Sequence, residues 1–509
     1  MLHYLVYLAS PRQLEQVKKS LNRFHMSPEG SSENVFRIKH SYLGDLEIVL
    51  TLLSDISQVS LHLKHNPVDA FVYDERQGGL DAYVAIRKIE ENLATLAQQW
   101  GPDFRLPKGR IIVLLEDSEE VAAKSFKLGR LNVKDILVAP PHFAKTLRWI
   151  ARVLTSAREQ NERKVGFACN GGGMEGYLFQ AGCIYALSRA FKRKSIHDCQ
   201  VFSGVSSGSM HATALAAGIP IEEIVRSIKG KATRIPNLKS SIIYDFSPSE
   251  ILKRFAKQMH AWSSLAPSTW IPKALQFIPT GFLKGEGLKN YIASAIENYG
   301  IIDDFSALNS ELYIGTTHQD TFEHVVMGAS PFHHVRVSDA IRASCAIPPF
   351  FTPHKIESEY YIDGQISSPC DLELLIHRGC RLIFIVDPIV PYSTPETGLT
   401  ENAGGLYNLI QTIKTLIHAR FRSELVHTIE RYPDVDYLVF QPYGECSSVM
   451  RGSPLKYKFN TSITDLAYKG TLMRLRERYE IYSAKLNKYG FELVSPDDLL
   501  KLEMEGIVV

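Results

Sequence analysis

The sequence predicts an α/β protein: a five-stranded, flavodoxin-like parallel-sheet domain over 1–150, then a second α/β domain with a mainly helical C-terminal extension. Two observations predict this. Short apolar strands alternate with amphipathic helical patterns through 1–150, which is how a parallel sheet covered on both faces reads. A second strand, glycine loop and helix begin at Lys164 with KVGFACNGGG, after a polar stretch at 151–163.

Taken in order, the strand candidates of the first domain are Leu2–Leu8, a segment near Phe36–Leu43, Val68–Asp74, Arg110–Glu116 and Asp135–Ala139. Helical periodicity covers Arg12–Phe24, Gly79–Trp100, Glu119–Leu128 and His142–Gln160. Residues 151–163 form a linker and 164–400 the second α/β domain. Residues 401–509 extend it with a long helix (Leu406–Glu430), a strand (Val435–Gln441) and a basic helical tail (Thr464–Lys488). Arg474, Arg476 and Arg478 in that tail read as a solvated helix face.

Composition narrows the function classes. Hydrophobic residues make up 45% and charged residues 22%, as in ordinary globular domains. A formal net charge of +2 gives no bulk attraction to nucleic acid, and none is expected as a partner. The seven cysteines are odd in number and form no CxxC pair, so no metal site is expected. The N-terminus MLHYLVYLASPRQLEQ does not read as a signal peptide, and no apolar run reaches the ~18 residues of a spanning helix. The expectation is a cytoplasmic chain with reduced thiols.

Three segments carry chemistry. In VFSGVSSGSMHATALAAG an apolar strand runs into Gly204-Val205-Ser206-Ser207-Gly208 and then a small-residue helix. This is the G-x-S-x-G nucleophile elbow, in which glycines remove side chains that would clash at a tight strand-to-helix turn. Ser206 holds the central position, and Ser207 and Ser209 are its neighbours and alternatives. Upstream, Asn170-Gly171-Gly172-Gly173-Met174-Glu175-Gly176 follows the strand VGFAC and opens a helix, so its backbone N–H groups can converge on an anion. A dinucleotide loop is the alternative, but about twenty residues on stand Lys192–Ser195 rather than an acidic residue. The third segment is Tyr361-Ile362-Asp363-Gly364-Gln365, which alone reads as a turn.

GGGMEG, GVSSG and DGQ, in that order, together with ASCAIPPFF (Ala343–Phe351), resemble the motifs of the patatin-like phospholipases over residues 164–390. The resemblance implies an α/β hydrolase domain that cleaves fatty acyl esters of lipids by a Ser–Asp dyad and needs no cofactor. In that reading Ser206 is the nucleophile, Asp363 its base, and Gly171, Gly172 and Gly173 form the oxyanion hole. Gly204, Gly208, Gly176 and Gly364 complete the motifs. Glu175 stands where the family often has a basic residue, and Gln365 where it often has Gly or Ala. A Ser–His–Asp arrangement through His377 or His211 is the alternative mechanism, although both lie in helical patterns.

In the first domain VDAFVYD and DILVAP resemble strands of the response-regulator receiver domain, with Asp74 at the phosphoacceptor position. The family's acidic pair is LVYLAS here, its lysine is Ala139, and its hydroxyl residue is Leu115 or Glu116. Clustered carboxylates are needed to hold magnesium, so the expectation is a degenerate, structural or protein-binding domain, with phosphorylation of Asp74 as the alternative. Residues 262–283, with Trp262, Trp270, Phe277 and Phe282, read as a segment covering the acyl site or making peripheral membrane contact. A lipid-sensing or partner-recruiting protein with an inactive or gated hydrolase fold is the alternative to an enzyme.

Overall fold

The computed structural model describes residues 2–23, 33–39, 47–76, 79–100, 110–131, 133, 135–138, 146, 150, 164–231, 233–237, 242, 245, 280–391, 398, 402, 404–449 and 461–509. The expected linker 151–163, nearly all of the expected helix at 142–160, and Trp262, Trp270 and Phe277 lie outside them. Two compact units emerge: Met1–Arg163 with Glu424–Val439 and Leu475–Leu493, and Lys164–Ser423 with Phe440–Arg474 and Val494–Val509.

The first unit begins β1 (Leu2–Ala9), α1 (Pro11–Arg23), β2 (Val35–Lys39), β3 (Glu47–Leu53) and α2 (Ile56–His65). It continues β4 (Ala70–Asp74), α3 (Ala82–Trp100), β5 (Ile111–Leu115), α4 (Val121–Arg130) and β6 (Asp135–Val138). The sheet order is β2-β3-β1-β4-β5-β6. β3, β1, β4, β5 and β6 are mutually parallel, and β2 is an antiparallel edge. The expected five parallel strands are present, but the second is Glu47–Leu53 and not the segment near Phe36, which forms the added edge. Leu5, Tyr7 and Ala9 pack on one face with Leu14, Val17 and Leu21, whereas Val6 and Leu8 face Ala85, Ile86 and Ile89 on the other. That two-sided packing makes the inner strands predominantly apolar.

The second unit starts with β7 (Lys164–Cys169), α5 (Gly173–Ala190), β8 (Val201–Val205), α6 (Ser207–Ala216), β9 (Glu311–His318) and β10 (His324–Met327). It continues with α7 (Val337–Ser344), β11 (His354–Ile356), β12 (Glu359–Asp363) and β13 (Cys380–Val386). Its strands run in the order β11-β12-β9-β8-β7-β13, with β10 also on β9. β13, β7, β8 and β9 are parallel, so the ends of β7 and β8 open at one edge, where α/β folds place their ligands. β12 returns antiparallel on β9, setting Asp363 opposite Thr316, and Thr316 follows the Gly315 that pairs with Val205.

The long helix α8 is Gly405–Arg431, and the expected strand is Asp436–Phe440. The helical tail is two helices, Thr461–Glu477 and Tyr479–Asn487. Its arginines are not a solvated face: Arg474 and Arg478 are buried, and Arg478 covers the Tyr482 ring at the break between the helices. All seven cysteines are buried. Among the described residues no helix is long and apolar enough to cross a membrane, and no His, Cys, Asp and Glu cluster could hold a metal ion.

Candidate active site

Ser206 links β8 to α6 at φ 52° and ψ −132°, a conformation that an L-residue adopts only under constraint. The constraints are visible. The Ser206 N–H donates to Ser344 Oγ at 2.8 Å, and that hydroxyl donates to the Gly315 carbonyl at 2.6 Å. The Ser206 carbonyl accepts from the N–H of Ser209 at 2.9 Å and from its hydroxyl. The flanking glycines have no alternative. A Cβ on Gly204 would lie 2.5 Å from Ser209 Cα, and one on Gly208 would lie 2.2 Å from the Cys169 carbonyl oxygen.

The glycine loop passes over this turn. A Cβ on Gly171 would stand 2.6 Å from Ser206 Cβ. Gly172 caps α5, and Gly173 opens it at φ 60°. The N-terminus of α5 and Ser206 therefore line the same cavity. A Cβ on Gly172 would meet Gly176 Cα at 2.8 Å, which keeps the first turn of the helix tight.

Asp363 ends β12 and is 1% exposed. Its Oδ1 accepts from the Gln365 N–H at 3.0 Å, and its Oδ2 makes no hydrogen bond. Burial pushes its carboxyl up to about 7, while the nearby Ser206 hydroxyl and the Gln365 N–H favour the charged form. Its main chain is held at both ends: N–H to the Ala346 carbonyl at 3.1 Å, and carbonyl from the Thr317 hydroxyl at 2.8 Å. A Cβ on Gly364 would lie 2.3 Å from the Gly315 carbonyl oxygen, so β12 can leave the sheet there only as glycine.

Ser206, Asp363, Gly172 and Gly173 line one cavity of about 130 Å³. Its wall is largely apolar, with Met210, Phe350 and Phe351 among the lining residues. The helix α8 contributes Ile410, Ile413, Lys414 and Ile417, a 3.6-period stripe that sequence reasoning placed on no site. Glu175, the departure in the glycine motif, is buried and paired with Lys414 at 3.3 Å. Phe282, the described end of the expected flap, is 39% exposed, and its neighbour Leu283 packs on Ala346 and Phe351.

Neither alternative histidine reaches this cavity. His211 is buried, its Nε2 lies 2.9 Å from the Tyr177 carbonyl and its ring stacks on Tyr177. Burial pushes it down to about 4. His377 is an exposed residue ending the helix Leu372–His377. In the first unit Asp74 is fully buried: Arg76 Nη2 lies 2.7 Å from Oδ2 and Arg76 Nε 2.8 Å from Oδ1, and the Tyr7 hydroxyl donates to Oδ2. Both oxygens that would take a phosphoryl group are thus occupied.

A parallel α/β sheet with a strained serine at the strand-to-helix elbow, a glycine loop and an apolar cavity defines the class, an α/β hydrolase-like fold. Residues 167–376 match the family model of the patatin-like phospholipases. Among solved structures the chain is similar to VipD from Legionella pneumophila, at 16% identity over 62% of this chain and 67% of that one, with a TM-score of 0.29. It is similar to the type III effector ExoU of Pseudomonas aeruginosa at 15% identity, over 62% of this chain and 53% of that one, TM-score 0.24. A human GIVD cytosolic phospholipase A2, in complex with methyl gamma-linolenyl fluorophosphonate, matches at 13% identity over 69% of this chain and 62% of that one, TM-score 0.27. No curated protein matches the chain.

Proposed function

We propose that this protein is a serine acyl hydrolase of the phospholipase A or lysophospholipase type, cleaving fatty acyl esters through a Ser206–Asp363 dyad. The observation that carries the reading is a serine at positive φ sharing an apolar cavity with a buried aspartate whose carboxyl is raised to about 7. A base with that acidity can both take and return a proton near neutral pH.

The steps follow from the contacts. Ser206 Oγ attacks the ester carbonyl carbon while Asp363 Oδ2, which has no hydrogen bond, takes its proton. Negative charge gathers on the carbonyl oxygen and meets the N–H groups of Gly171, Gly172 and Gly173. The tetrahedral intermediate collapses, the alkoxide leaves, and Asp363 returns the proton to it. Water then attacks the acyl-serine while Asp363 takes its proton; the second intermediate collapses by breaking the bond to Ser206 Oγ, Asp363 returns the proton to Oγ, and the fatty acid leaves. The fatty acyl chain occupies the apolar wall that includes α8. Residues 262–283 would cover the acyl site at a lipid surface. The first domain, with Asp74 held by Arg76, would bind a protein partner rather than a phosphoryl group.

The test is labelling with a fluorophosphonate probe and hydrolysis of a lysophospholipid by the native chain, Ser206→Ala and Asp363→Asn. Labelling lost in Ser206→Ala, with hydrolysis lost in both variants, is the expected result. A folded native chain that neither labels nor hydrolyses would overturn the reading in favour of a lipid-sensing protein.

A further inference from the structure

Four side chains outside the cavity lining form a line of contacts that reaches the Asp363 main chain. The Thr317 hydroxyl is 2.8 Å from the Asp363 carbonyl oxygen, and Thr317 Oγ1 is 2.7 Å from Ser367 Oγ. Ser367 Oγ is 2.8 Å from His324 Nδ1, and His324 Nε2 is 2.6 Å from Asp371 Oδ1. Asp371 is 6% exposed, and none of the four lines the cavity. Three elements meet here: Thr317 is on β9, His324 opposite it on β10, and Ser367 and Asp371 follow β12.

Ser367 Oγ also lies 3.2 Å from the Gly364 carbonyl oxygen and 3.5 Å from that of Thr316, and counting hydrogens gives the arrangement in which each of the four shortest contacts of the line carries one. A carbonyl oxygen cannot donate, so the Thr317 hydrogen points at Asp363. The Thr317–Ser367 contact then needs the hydrogen of Ser367, and the Ser367–His324 contact needs a hydrogen on Nδ1. The His324–Asp371 contact needs one more, which sits on Nε2 because imidazole is a stronger base than a carboxylate. Four short contacts thus require four hydrogens, and a neutral imidazole beside a carboxylate leaves the line one short. Loss of that proton forces one of two changes. Ser367 turns its hydrogen to Nδ1 and Thr317 follows, releasing the Asp363 carbonyl, or two lone pairs face each other at hydrogen-bond distance.

We infer that His324 and Asp371 are positioning residues for Asp363, holding its main chain through Ser367 and Thr317 only while the pair carries the extra proton. The inference rests on the reading of Asp363 as the base. Among the described residues, the charged groups on the surrounding elements are Asp371, Asp363 across Thr317, Glu323 next to His324, and the His318–Glu359 pair at 3.2 Å. Arg420 of α8 donates to the Ile366 carbonyl, one residue before Ser367. Asp371 contacts the His324 ring and directly opposes loss of its proton. Replacing it by asparagine keeps the shape and removes the charge.

The experiment uses the full chain as wild type, Asp371→Asn and Ser367→Ala, with two readouts. One is ¹⁵N NMR of the histidine rings, with the His324 signal assigned by its loss in His324→Gln. The other is the pH profile of kcat and KM on a soluble short-chain nitrophenyl ester. Both His324 nitrogens should carry hydrogen at neutral pH in the wild type. Their deprotonation should coincide with an alkaline fall in kcat at unchanged KM. Asp371→Asn should move both events down by about one to three pH units. Ser367→Ala should lower kcat roughly fivefold and uncouple it from the His324 titration. A singly protonated His324 at neutral pH, a profile unchanged by Asp371→Asn, or a loss in kcat independent of pH would each overturn the inference. A chain that hydrolyses no ester would instead overturn the reading of Asp363 as base, and the ring titration would still decide the proton count.

Discussion

Asp363 concentrates the conflict between stability and chemistry in one side chain. Its carboxyl is fully buried, no cation contributes to its acidity, and burial raises it to about 7 against roughly 3.9 in an unfolded chain. Between those values the native state holds a proton that the unfolded state has lost, so stability falls as pH rises from about 4 to about 7. Asp363→Asn removes that dependence. At pH 8 the variant should therefore be more stable than the native chain, by an amount on the order of a few kcal/mol, and the difference should vanish near pH 4. The same change should lower kcat by about 10²–10⁴-fold, because an amide cannot accept the Ser206 proton. Thermal unfolding at the two pH values, beside ester hydrolysis, checks both. A variant less stable than native at pH 8 would mean the carboxylate is better solvated than its burial implies. In the native chain kcat should rise through pH 7 as Asp363 ionises, opposite in sign to the alkaline fall assigned to His324.

The elbow shows how elements place such residues, and glycine makes the point measurable. Gly208→Ala puts a methyl 2.2 Å from the Cys169 carbonyl and 2.5 Å from that of Asn170, so β7 and α6 must part. The expected cost is about 1–3 kcal/mol, with most fluorophosphonate labelling lost because Ser206 moves with the helix. Gly129 on α4 has open space around its Cβ position, and Gly129→Ala should stabilise by about 0.5–1 kcal/mol. Urea unfolding of the two variants should give shifts of opposite sign. This logic is local, which is why the elbow, the glycine loop and the Asp363-Gly364 turn were legible as motifs. The strand Glu47–Leu53 was not, because its apolar run passes into the helix Ile56–His65 with only Ser54 and Asp55 between them. The boundary is the Asp55 carboxylate accepting from the Ser57 N–H at 2.8 Å, a cap without glycine or proline to mark it. Ser344, Lys414 and His324 were illegible for another reason. Each acts through a partner more than forty residues away, and no spacing in the sequence records that.

At the scale of the whole molecule the first unit depends on the far end of the chain. Lys488 pairs with Asp69, 419 residues away, and lies 3.6 Å from Asp436. Arg110 and His3 approach Asp69 as well, at 3.9 and 3.4 Å. Burial would raise both carboxyls, yet Lys488 and its neighbours hold Asp69 and Asp436 below the usual range. A depressed carboxylate contributes stability above its unfolded value, lost as pH falls through the folded one, so the cluster weakens only in acid. Lys488→Met removes the cation and leaves two buried carboxylates facing each other. The expected loss is about 3–5 kcal/mol at pH 7, shrinking below about pH 4 where both carboxyls can protonate. Adding Asp69→Asn and Asp436→Asn to that variant should recover much of the loss, because the charges needing compensation are gone. The same argument predicts that a fragment of residues 1–163, which keeps Asp69 and Arg110 but lacks Lys488, unfolds at lower denaturant than the first unit does in the intact chain. Urea unfolding followed at pH 4 and pH 7 separates this from a packing effect. A loss of equal size at both pH values would assign Lys488 to packing through its aliphatic stem and not to charge.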